Sequence, residues 1–543
     1  MKSGFDALGK HYAQLRSNVK AAHLGAILPL AKGLREFFQT QISLEQAEEE
    51  IRRALCSREA GFLQLVRTQV FGRPNSPYLK LLRMAGCEFA DLETCVHRRG
   101  LEKTLEKLSE EGVYLTSDEF KGKKEVIRQG GSFWVSPKDF ECFDAAPGFA
   151  IESSGTRNRP VGSFIALDWL AVRALAMRVF LAAHDLFSAS HALYDAILPG
   201  SGVNHLLINA KLARPTDRWF AREIPFNTSF AGVYHKLTTS LIVFMGKWFG
   251  PGLPRPEFID IQALDSIVRW IEQKRLEGKN CQVTTIVSSA VRIAQAALRM
   301  GVPLEGTKFV VSGEPYTDAK RNKIEQAGAR AVSHYAYGGG MNVGFGCANP
   351  AHVDEIHVNQ HMFGVIAHPR SLTDGPIIHP LLCTTLHPAA PRLLLNVENG
   401  DYVTLATRDC GCTLGKVGLT LHLSHIRSFE KFTSEGMNYF YGDLFELLER
   451  VLPAEFGGGP GDYQLLEEED KTSQTRLSLL VHPAVPKLNE DKLLSRLQQG
   501  LEENSNGNRF MPKVWQDAGI LRIRREIPYS SPRGKILPLH IRH

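Results

Sequence analysis

The stretch IESSGTRNRP, residues 151–160, decides how the rest of the chain is interpreted. Its hydroxyl side chains, its glycine and its cations suit a loop that surrounds phosphate oxygens. Apolar residues at 149–151 predict a short strand before it, and helical spacing over 168–187 predicts a long helix after it. The string lacks the Gly-Lys-Ser/Thr ending of a Walker A loop, and an ordinary polar turn is the alternative interpretation. The residues predicted to contact phosphate are Ser153, Ser154, Gly155, Thr156 and Arg159.

Length, composition and charge favour a large domain with a smaller one. The 543 residues exceed one ordinary hydrophobic core, and 43% apolar with 22% charged residues is typical of a globular protein. The net charge of +6 is spread along the chain, which argues against nucleic-acid binding. Nine irregularly placed cysteines predict no disulfide framework and favour a reducing cytoplasm. The apolar run 21–34 is too short and too interrupted to span a membrane.

Two buried strands with a helix between them are predicted in the second half of the chain. Residues 308–311 form the first strand, a helix begins after Thr317 and ends near Gly328, and residues 331–335 form the second strand. A helical crossover of this kind joins parallel strands, whose ligands bind at the strand ends. The segments at those ends are Ser312-Gly313-Glu314-Pro315 and Tyr337-Gly338.

A separate group of residues predicts a metal site. Cys347, His352, Cys410 and Cys412 offer three thiolates and one imidazole, the ligand set of a closed tetrahedral zinc site. Four protein ligands leave no open position, so a zinc ion here would be structural. The alternative is that these cysteines bind no metal and that Cys410 and Cys412 flank a turn.

Several of these segments resemble the adenylate-forming superfamily, in particular its phenylacetate-CoA-ligase branch. The loop 153–160 resembles the SSGTTGKP loop, residues 312–315 resemble the GAEP turn, and Tyr337-Gly338 resembles the YGxTE turn. The resemblance implies that the last two turns enclose the adenine. Two departures are notable: Arg157-Asn158-Arg159 replaces Thr-Gly-Lys, and Gly340 with Met341 replaces the Thr/Ser and Glu that hold triphosphate and Mg²⁺. Neither replacement offers the oxygen ligand that Mg²⁺ prefers.

The resemblance continues towards the end of the chain and covers about residues 75–543 in six motifs. Residues 391–401 resemble the PLLRYRTGD segment, which implies that Asp401 binds the ribose hydroxyls. Arg427 matches the arginine that contacts the nucleotide at the family's hinge, although Phe429 replaces the first acidic hinge residue. Lys535, in a loop bounded by prolines, matches the catalytic lysine that stabilises charge at the α-phosphate. Some relatives carry a structural zinc in the region of the four predicted metal ligands.

The resemblance implies an α/β enzyme with a large domain, residues 1–427, whose first 148 residues are mainly helical, and a mobile small domain, residues 428–543. It implies ATP-dependent, AMP-forming activation of a small-molecule carboxylic acid and transfer of the acyl group to coenzyme A. A carrier-protein thiol or an amine is an alternative acceptor. A transferase that uses a preformed acyl-adenylate and a non-catalytic nucleotide-binding relative are the alternative functions. The sequence leaves the acid unnamed and a homodimer open.

Overall fold

A computed structural model of the chain describes residues 27–142, 146–152, 162–222, 230–260, 263–337, 340–371, 377–428, 431–434, 437–469, 475–486, 488–503, 521–530 and 534–542. The predicted site residues outside these ranges are Ser153, Ser154, Gly155, Thr156, Arg159 and Gly338, together with Phe429 of the predicted hinge.

Helices dominate the first hundred described residues, as the sequence predicts. The second helix illustrates why: Ser43 accepts a hydrogen bond from the Gln46 N–H, and the Gln46 side chain accepts one from the Ser43 N–H at 3.0 Å, which closes a capping box. The helices are α1 (Ile27–Gln39), α2 (Leu44–Cys56), α3 (Arg58–Val66), α4 (Pro77–Met84), α5 (Phe89–Arg99), α6 (Leu101–Glu110), α7 (Ser117–Phe120), α8 (Leu167–Ala183), α9 (Gly202–Lys211), α10 (Phe230–Phe249), α11 (Asp265–Leu276), α12 (Val287–Met300), α13 (Asp318–Gln326), α14 (Thr413–Lys416), α15 (Tyr441–Glu446), α16 (Leu452–Phe456) and α17 (Glu490–Glu503).

The strands of the described residues form one large sheet and several small ones. The strands are β1 (Val126–Arg128), β2 (Gly131–Phe133), β3 (Gly148–Glu152), β4 (Gly162–Ala166), β5 (Ser190–Tyr194), β6 (Arg218–Arg222), β7 (Pro256–Ile259), β8 (Cys281–Ile286), β9 (Thr307–Ser312), β10 (Arg330–Tyr337), β11 (Met341–Gly346), β12 (Ile356–Val358), β13 (Phe363–Ala367), β14 (Arg370–Ser371), β15 (Ile377–Ile378), β16 (Pro380–Thr385), β17 (Val397–Thr407), β18 (Leu421–Ser428), β19 (Lys431–Ser434), β20 (Met437–Phe440), β21 (Tyr463–Glu469), β22 (Thr475–Val481), β23 (Leu521–Arg524) and β24 (Leu539–Arg542).

The large sheet has a parallel half and an antiparallel half. Among the described residues it has twelve strands in the order β13-β16-β17-β18-β12-β11-β10-β9-β8-β5-β6-β7. The strands from β10 to β7 pair in parallel, which confirms the predicted parallel pair β9–β10 with its helical crossover, α13. Helix α13 begins at Thr317, whose side chain accepts the Lys320 N–H. The parallel strands of this half therefore end on one common edge.

The segment around residues 151–160 differs from the prediction. A strand, β4, follows the loop before the long helix α8 begins, and it pairs antiparallel with β3 from Gly148↔Ala166 to Glu152↔Gly162. The predicted order of strand, turn and helix is therefore wrong: residues 153–161 connect the two strands of a hairpin. The alternating burial of β4 is typical of a strand with one face against the core.

The last part of the chain has its own small sheet and core. Strands β21 to β24 form a four-stranded sheet in the order β23-β22-β21-β24, and α17 covers it with Leu493 and Leu497. This core is separate from the two cores of the large sheet. The predicted fold class, α/β with a helix-flanked large sheet and a small C-terminal α/β domain, is confirmed.

Two general properties of the described residues bear on the sequence predictions. None of their helices combines the length and the apolar character needed to cross a membrane. All nine cysteines have free thiols in the structure.

Candidate functional site

The carboxyl ends of β8, β9 and β10 bring several predicted site residues to one edge of the sheet. Ile286, the last residue of β8, pairs with Ser312 at the end of β9, and Val311 pairs with Ser333 of β10. The Gly313-Glu314-Pro315 turn follows β9 directly, and Tyr337 ends β10. Ligands of parallel α/β sheets bind at this kind of edge.

The hairpin that carries the predicted phosphate loop packs against the turn after β10. A side chain at Gly340, which has φ of +120°, would lie 2.6 Å from Ile165 Cδ1 of β4 and 3.4 Å from Ile151 Cδ1 of β3. The Trp169 indole N–H, in the first turn of α8, donates to the Gly340 carbonyl oxygen at 3.0 Å. Strands β3 and β4, which flank residues 153–161 in the sequence, therefore lie beside Gly340.

This turn contributes no oxygen side chain at the two altered positions. Met341 is fully buried in the core, and Gly340 has room for no side chain beside Ile165. A Mg²⁺ ion that accompanies a nucleotide here must take its oxygen ligands from phosphate, water or another side chain. Tyr337, which pairs with Met341 across the β10–β11 turn, has its pKa raised by burial and stays protonated.

Asp401 lies next to the end of β10, as its predicted role requires. Its Oδ2 atom accepts the Tyr335 hydroxyl at 2.6 Å, and Asn399 also donates to that hydroxyl oxygen. The pKa of Tyr335 is raised, mainly by burial and further by the Asp401 carboxylate. The phenol therefore remains a hydrogen-bond donor. Arg392, earlier in the same segment, donates to the Gly162 carbonyl oxygen at the base of the phosphate-loop hairpin. The 391–401 segment thus contacts both neighbouring motifs.

Arg427 is adjacent to Asp401 in the sheet, but its guanidinium is engaged elsewhere. Tyr402 pairs with Arg427 across β17 and β18. The Arg427 Nη1 atom donates to Asp354 Oδ2 at 2.7 Å, and the same carboxylate accepts the backbone N–H groups of His425 and Ile426. In this arrangement the Arg427 guanidinium binds Asp354. The predicted contact between Arg427 and a nucleotide therefore stays a prediction.

Lys535 lies directly over the Gly313 turn. A side chain at Gly313 would lie 3.2 Å from Lys535 Cε and 3.4 Å from Lys535 Nζ, and Gly313 has φ of +83°. Glycine at this position therefore serves both the left-handed backbone and the approach of the ammonium group. The structure thus brings together two residues that the sequence places more than two hundred positions apart.

Two hydrogen bonds fasten the Lys535 loop to the large domain. The Ile536 N–H donates to Glu314 Oε1 at 3.0 Å, and Arg292 Nη2 donates to the Gly534 carbonyl oxygen at 2.8 Å. The Glu314 carboxylate also accepts the N–H and hydroxyl of Ser288, at 2.7 Å for the N–H. The bonds on either side of Lys535 fix the position of its backbone.

A buried ion pair supports the same contact between the domains. Lys320 Nζ lies 2.9 Å from Glu449 Oε1, and their side chains are 3% and 9% exposed. Lys320 also donates to the Pro315 carbonyl oxygen at 3.0 Å, in the turn next to Glu314. A cavity of about 490 Å³ lies beside this pair and is bounded by Lys320, Glu449 and Ile536 among others. The small domain therefore contacts the large one at this ion pair as well as at the Lys535 loop.

A cluster of cysteine and histidine side chains lies beyond β11. The possible ligand atoms of Cys347, His357, Cys410 and His422 all lie within 4.8 Å of one another. Cys412 reaches the same centre, because its Sγ atom is 3.2 Å from His357 Nε2, and Cys410 Sγ is 3.5 Å from that nitrogen. Tetrahedral zinc with its usual bond lengths would place these sulfur and nitrogen atoms about 3.5 Å apart.

The hydrogen bonds around this cluster orient its ligand atoms for a metal ion. His357 Nδ1 lies 2.6 Å from the Leu419 carbonyl oxygen, which can only accept, so His357 Nε2 presents its lone pair to the two sulfur atoms. The Cys347 thiol and His357 lower the pKa of Cys412, which favours a thiolate. The Asn349 N–H donates to Cys347 Sγ at 3.4 Å. The donor set therefore fits a closed zinc site.

His352 differs from its predicted role. Its ring packs on His425, with centroids 4.3 Å apart, and it is not among the clustered residues. His357 takes the predicted imidazole position: it lies in β12, opposite Phe345 of β11, and its Nε2 atom faces the sulfur atoms of Cys410 and Cys412. The sequence prediction favoured His352 by its distance from Cys347 and missed His357 and His422. Sequence spacing could not show which histidine lies beside the cysteines, because that depends on how β11 and β12 pair.

We expect purified protein to contain about one zinc ion per chain, measured by elemental analysis. His357→Ala should lose the metal, because it removes the only nitrogen that contacts both Cys410 and Cys412 Sγ atoms in the described cluster. His352→Ala is the matched control and should retain it. Folded wild-type protein without bound metal, or equal metal loss in the two variants, would contradict this assignment.

Comparison with known proteins gives similarity to solved structures only. No family model matches the chain, and no curated protein matches it. The chain is similar to a 2-hydroxyisobutyryl-CoA ligase, with 13% identity, a TM-score of 0.40, and 93% of this chain and 91% of that chain covered. It is similar to the amide bond synthetase McbA from Marinactinospora thermotolerans, with 11% identity, a TM-score of 0.37, and 95% and 98% covered. It is also similar to the anthranilate CoA ligase AuaEII, with 10% identity, a TM-score of 0.39, and 71% and 65% covered. TM-scores this low decide nothing about function.

Proposed function

We propose that this protein is an adenylate-forming enzyme that uses ATP to activate a carboxylic acid. The acid attacks the α-phosphate, pyrophosphate leaves, and an acyl-adenylate forms. The observation that carries this proposal is the position of Lys535, whose ammonium group lies against Gly313 at the carboxyl edge of the parallel sheet. A compact cation held at this edge suits the charge that develops on the phosphate during the transfer.

The other residues of the edge have roles that follow from their positions. Gly313, Glu314, Pro315, Tyr337 and Gly338 would enclose the adenine, and Asp401 would accept hydrogen bonds from the ribose hydroxyls. The loop residues Ser153, Ser154, Gly155, Thr156 and Arg159 would bind phosphate, with Mg²⁺ held by phosphate and water. The support is that β3, β4, β10 and the 391–401 segment contact one another at this edge.

In this proposal the large domain comprises residues 1–427 and the small domain residues 428–543. The polar contacts at Lys320–Glu449 and around Lys535, with a cavity beside them, suit a domain that docks for adenylation and then rotates. The acyl group would then pass to coenzyme A as a thioester. A carrier-protein thiol or an amine is the alternative acceptor. A structural zinc held by Cys347, His357 and Cys410, with His422 or Cys412 as the fourth ligand, would stabilise the antiparallel half of the sheet.

The test is carboxylate-dependent exchange of radiolabelled pyrophosphate into ATP, measured over a panel of monocarboxylic, dicarboxylic, aromatic and amino acids. We expect at least one acid to support exchange and to form the acyl-adenylate. Binding of ATP without exchange for any acid would instead favour a non-catalytic nucleotide-binding protein. Gly340 and Met341 would explain that result, because neither residue offers a side-chain oxygen ligand for Mg²⁺.

A further inference from the structure

Arg173 is a buried cation for which the described residues supply no partner. Arg173 lies in α8, and only 5% of the residue is exposed to solvent. Its Nε and Nη1 atoms have no hydrogen-bond acceptor among the described residues. Burial alone lowers its pKa, to about 10, so the guanidinium remains charged at neutral pH. An unpaired buried charge is costly, and proteins normally pair it or satisfy each of its N–H groups.

Arg214 shows how this fold satisfies an arginine that has a structural role. Arg214 is 2% exposed, and every nitrogen of its guanidinium donates to an oxygen atom. The acceptors are the carbonyl oxygens of Leu186, Phe187 and Ala189 and the side-chain oxygen of Asn209, at 2.9 to 3.2 Å. Among the described residues Arg173, at similar burial, has no such acceptor for its Nε and Nη1 atoms, so these groups are available to a bound ligand.

The surroundings of Arg173 are polar but supply no negative charge in contact with it. His205 and His334 are its neighbours, with their rings 5.9 Å apart, and burial lowers their pKa values to about 4 and about 3, so both are neutral. The His334 Nδ1 atom has no hydrogen-bond partner among the described residues. Asp195, the nearest acid to His205, is 4.0 Å from the His205 ring and accepts the Ser201 hydroxyl at 2.7 Å.

Arg173 is also well placed relative to the proposed reaction site. It is one helical turn, about 6 Å, along α8 from Trp169, on the same face. Trp169 donates to Gly340 in the turn after β10, and His334 is three residues before Tyr337 on that strand. A small molecule whose reacting end lies at this turn could therefore extend its other end to Arg173.

We propose that the acid activated by this enzyme carries a second negatively charged group, which pairs with the Arg173 guanidinium. This inference rests on the proposed adenylate-forming function and adds the class of substrate: a dianionic acid such as a dicarboxylate. The bound carboxylate would accept the unsatisfied Nε–H and Nη1–H groups, and a neutral end would leave them buried without partners.

The experiment compares dicarboxylic acids, from succinate to suberate, with their monomethyl esters in the pyrophosphate exchange assay. We expect the wild type to favour the best diacid over its monoester in kcat/KM. Arg173→Met should reduce that ratio by about 10²-fold or more, the size expected when one partner of a buried charge pair is removed. Arg214→Met is the matched control: it should lower the melting temperature and leave the ratio unchanged.

The outcomes separate this inference from the function on which it rests. Exchange with neutral monocarboxylic acids only, or an equal loss for diacid and monoester in Arg173→Met, would overturn the role of Arg173 and leave the adenylation proposal standing. If no acid supports exchange, the adenylation proposal fails. In that case calorimetric titration with the diacids tests the anion site at Arg173 directly. Diacid binding that is present in the wild type and lost in Arg173→Met supports the site. Absence of diacid binding to the wild type overturns it.

Discussion

Lys535→Ala should reduce carboxylate-dependent pyrophosphate exchange by about 10²-fold or more, the effect typical of losing one group that stabilises charge in the transition state. The ammonium group lies against Gly313, and hydrogen bonds from the Arg292 side chain to the Gly534 carbonyl oxygen and from the Ile536 N–H to the Glu314 carboxylate hold the main chain on both sides of Lys535. It is therefore positioned before the reaction, so its loss should act on kcat more than on the KM for ATP. Initial rates over a range of ATP concentrations give both constants.

Two further variants distinguish this role from a general effect of removing a lysine. Lys279→Ala removes an exposed lysine that pairs with Glu277 at 3.0 Å and should exchange at the wild-type rate. Gly313→Ala should also slow exchange, because its methyl group would meet the Lys535 side chain and its φ of +83° disfavours alanine. Wild-type exchange in Lys535→Ala would remove Lys535 from the mechanism.

The sequence predicted those parts of the fold that depend on local pattern. Hydrophobic spacing predicts a strand over 282–287 and a helix over 288–300 that ends at Gly301, and these correspond to β8 (Cys281–Ile286) and α12 (Val287–Met300), with Gly301 in the left-handed conformation. Two apolar segments, 463–466 and 476–481, on either side of an acidic turn predict a hairpin, and β21 and β22 confirm it. In each case hydrophobic spacing and a glycine or polar turn mark the element, whatever lies around it in space.

What the sequence could not predict depends on pairing between distant segments. Strand β4 was missed because Gly162-Ser-Phe-Ile-Ala runs directly into the apolar face of α8, and only its pairing with β3 marks it as a strand. His357 was missed for a similar reason, since its contact with Cys410 and Cys412 depends on how β12 lies between β11 and β18. Arg173 gave no signal at all, because an arginine in a helix is ordinarily solvated until the fold buries it.

Glu449→Leu should lower the free energy of unfolding by about 3–5 kcal/mol, because it leaves the Lys320 ammonium buried without its counter-charge. The pair is 2.9 Å apart, and Thr317 and the Pro315 carbonyl oxygen supply the remaining hydrogen bonds. Lys320 lies in α13 of the large domain, and Glu449 follows α15 in the small domain. The cost should therefore weaken docking of the small domain, and exchange activity should fall with it.

The double variant Lys320→Met/Glu449→Leu separates an unpaired charge from lost packing. Replacing both members of a buried ion pair by apolar residues of similar size is often neutral or stabilising, so the double variant should recover most of the lost stability. It should also recover exchange activity, because no unpaired charge then opposes docking and the bonds of the Lys535 loop to Glu314 and Arg292 are unchanged. Chemical denaturation of the wild type, Glu449→Leu, Lys320→Met and the double variant gives the coupling between the two sites. Equal stability of the single Glu449→Leu and the double variant would mean that the charge of Lys320 is satisfied without Glu449, and that the domain contact rests on the hydrogen bonds around Lys535 alone.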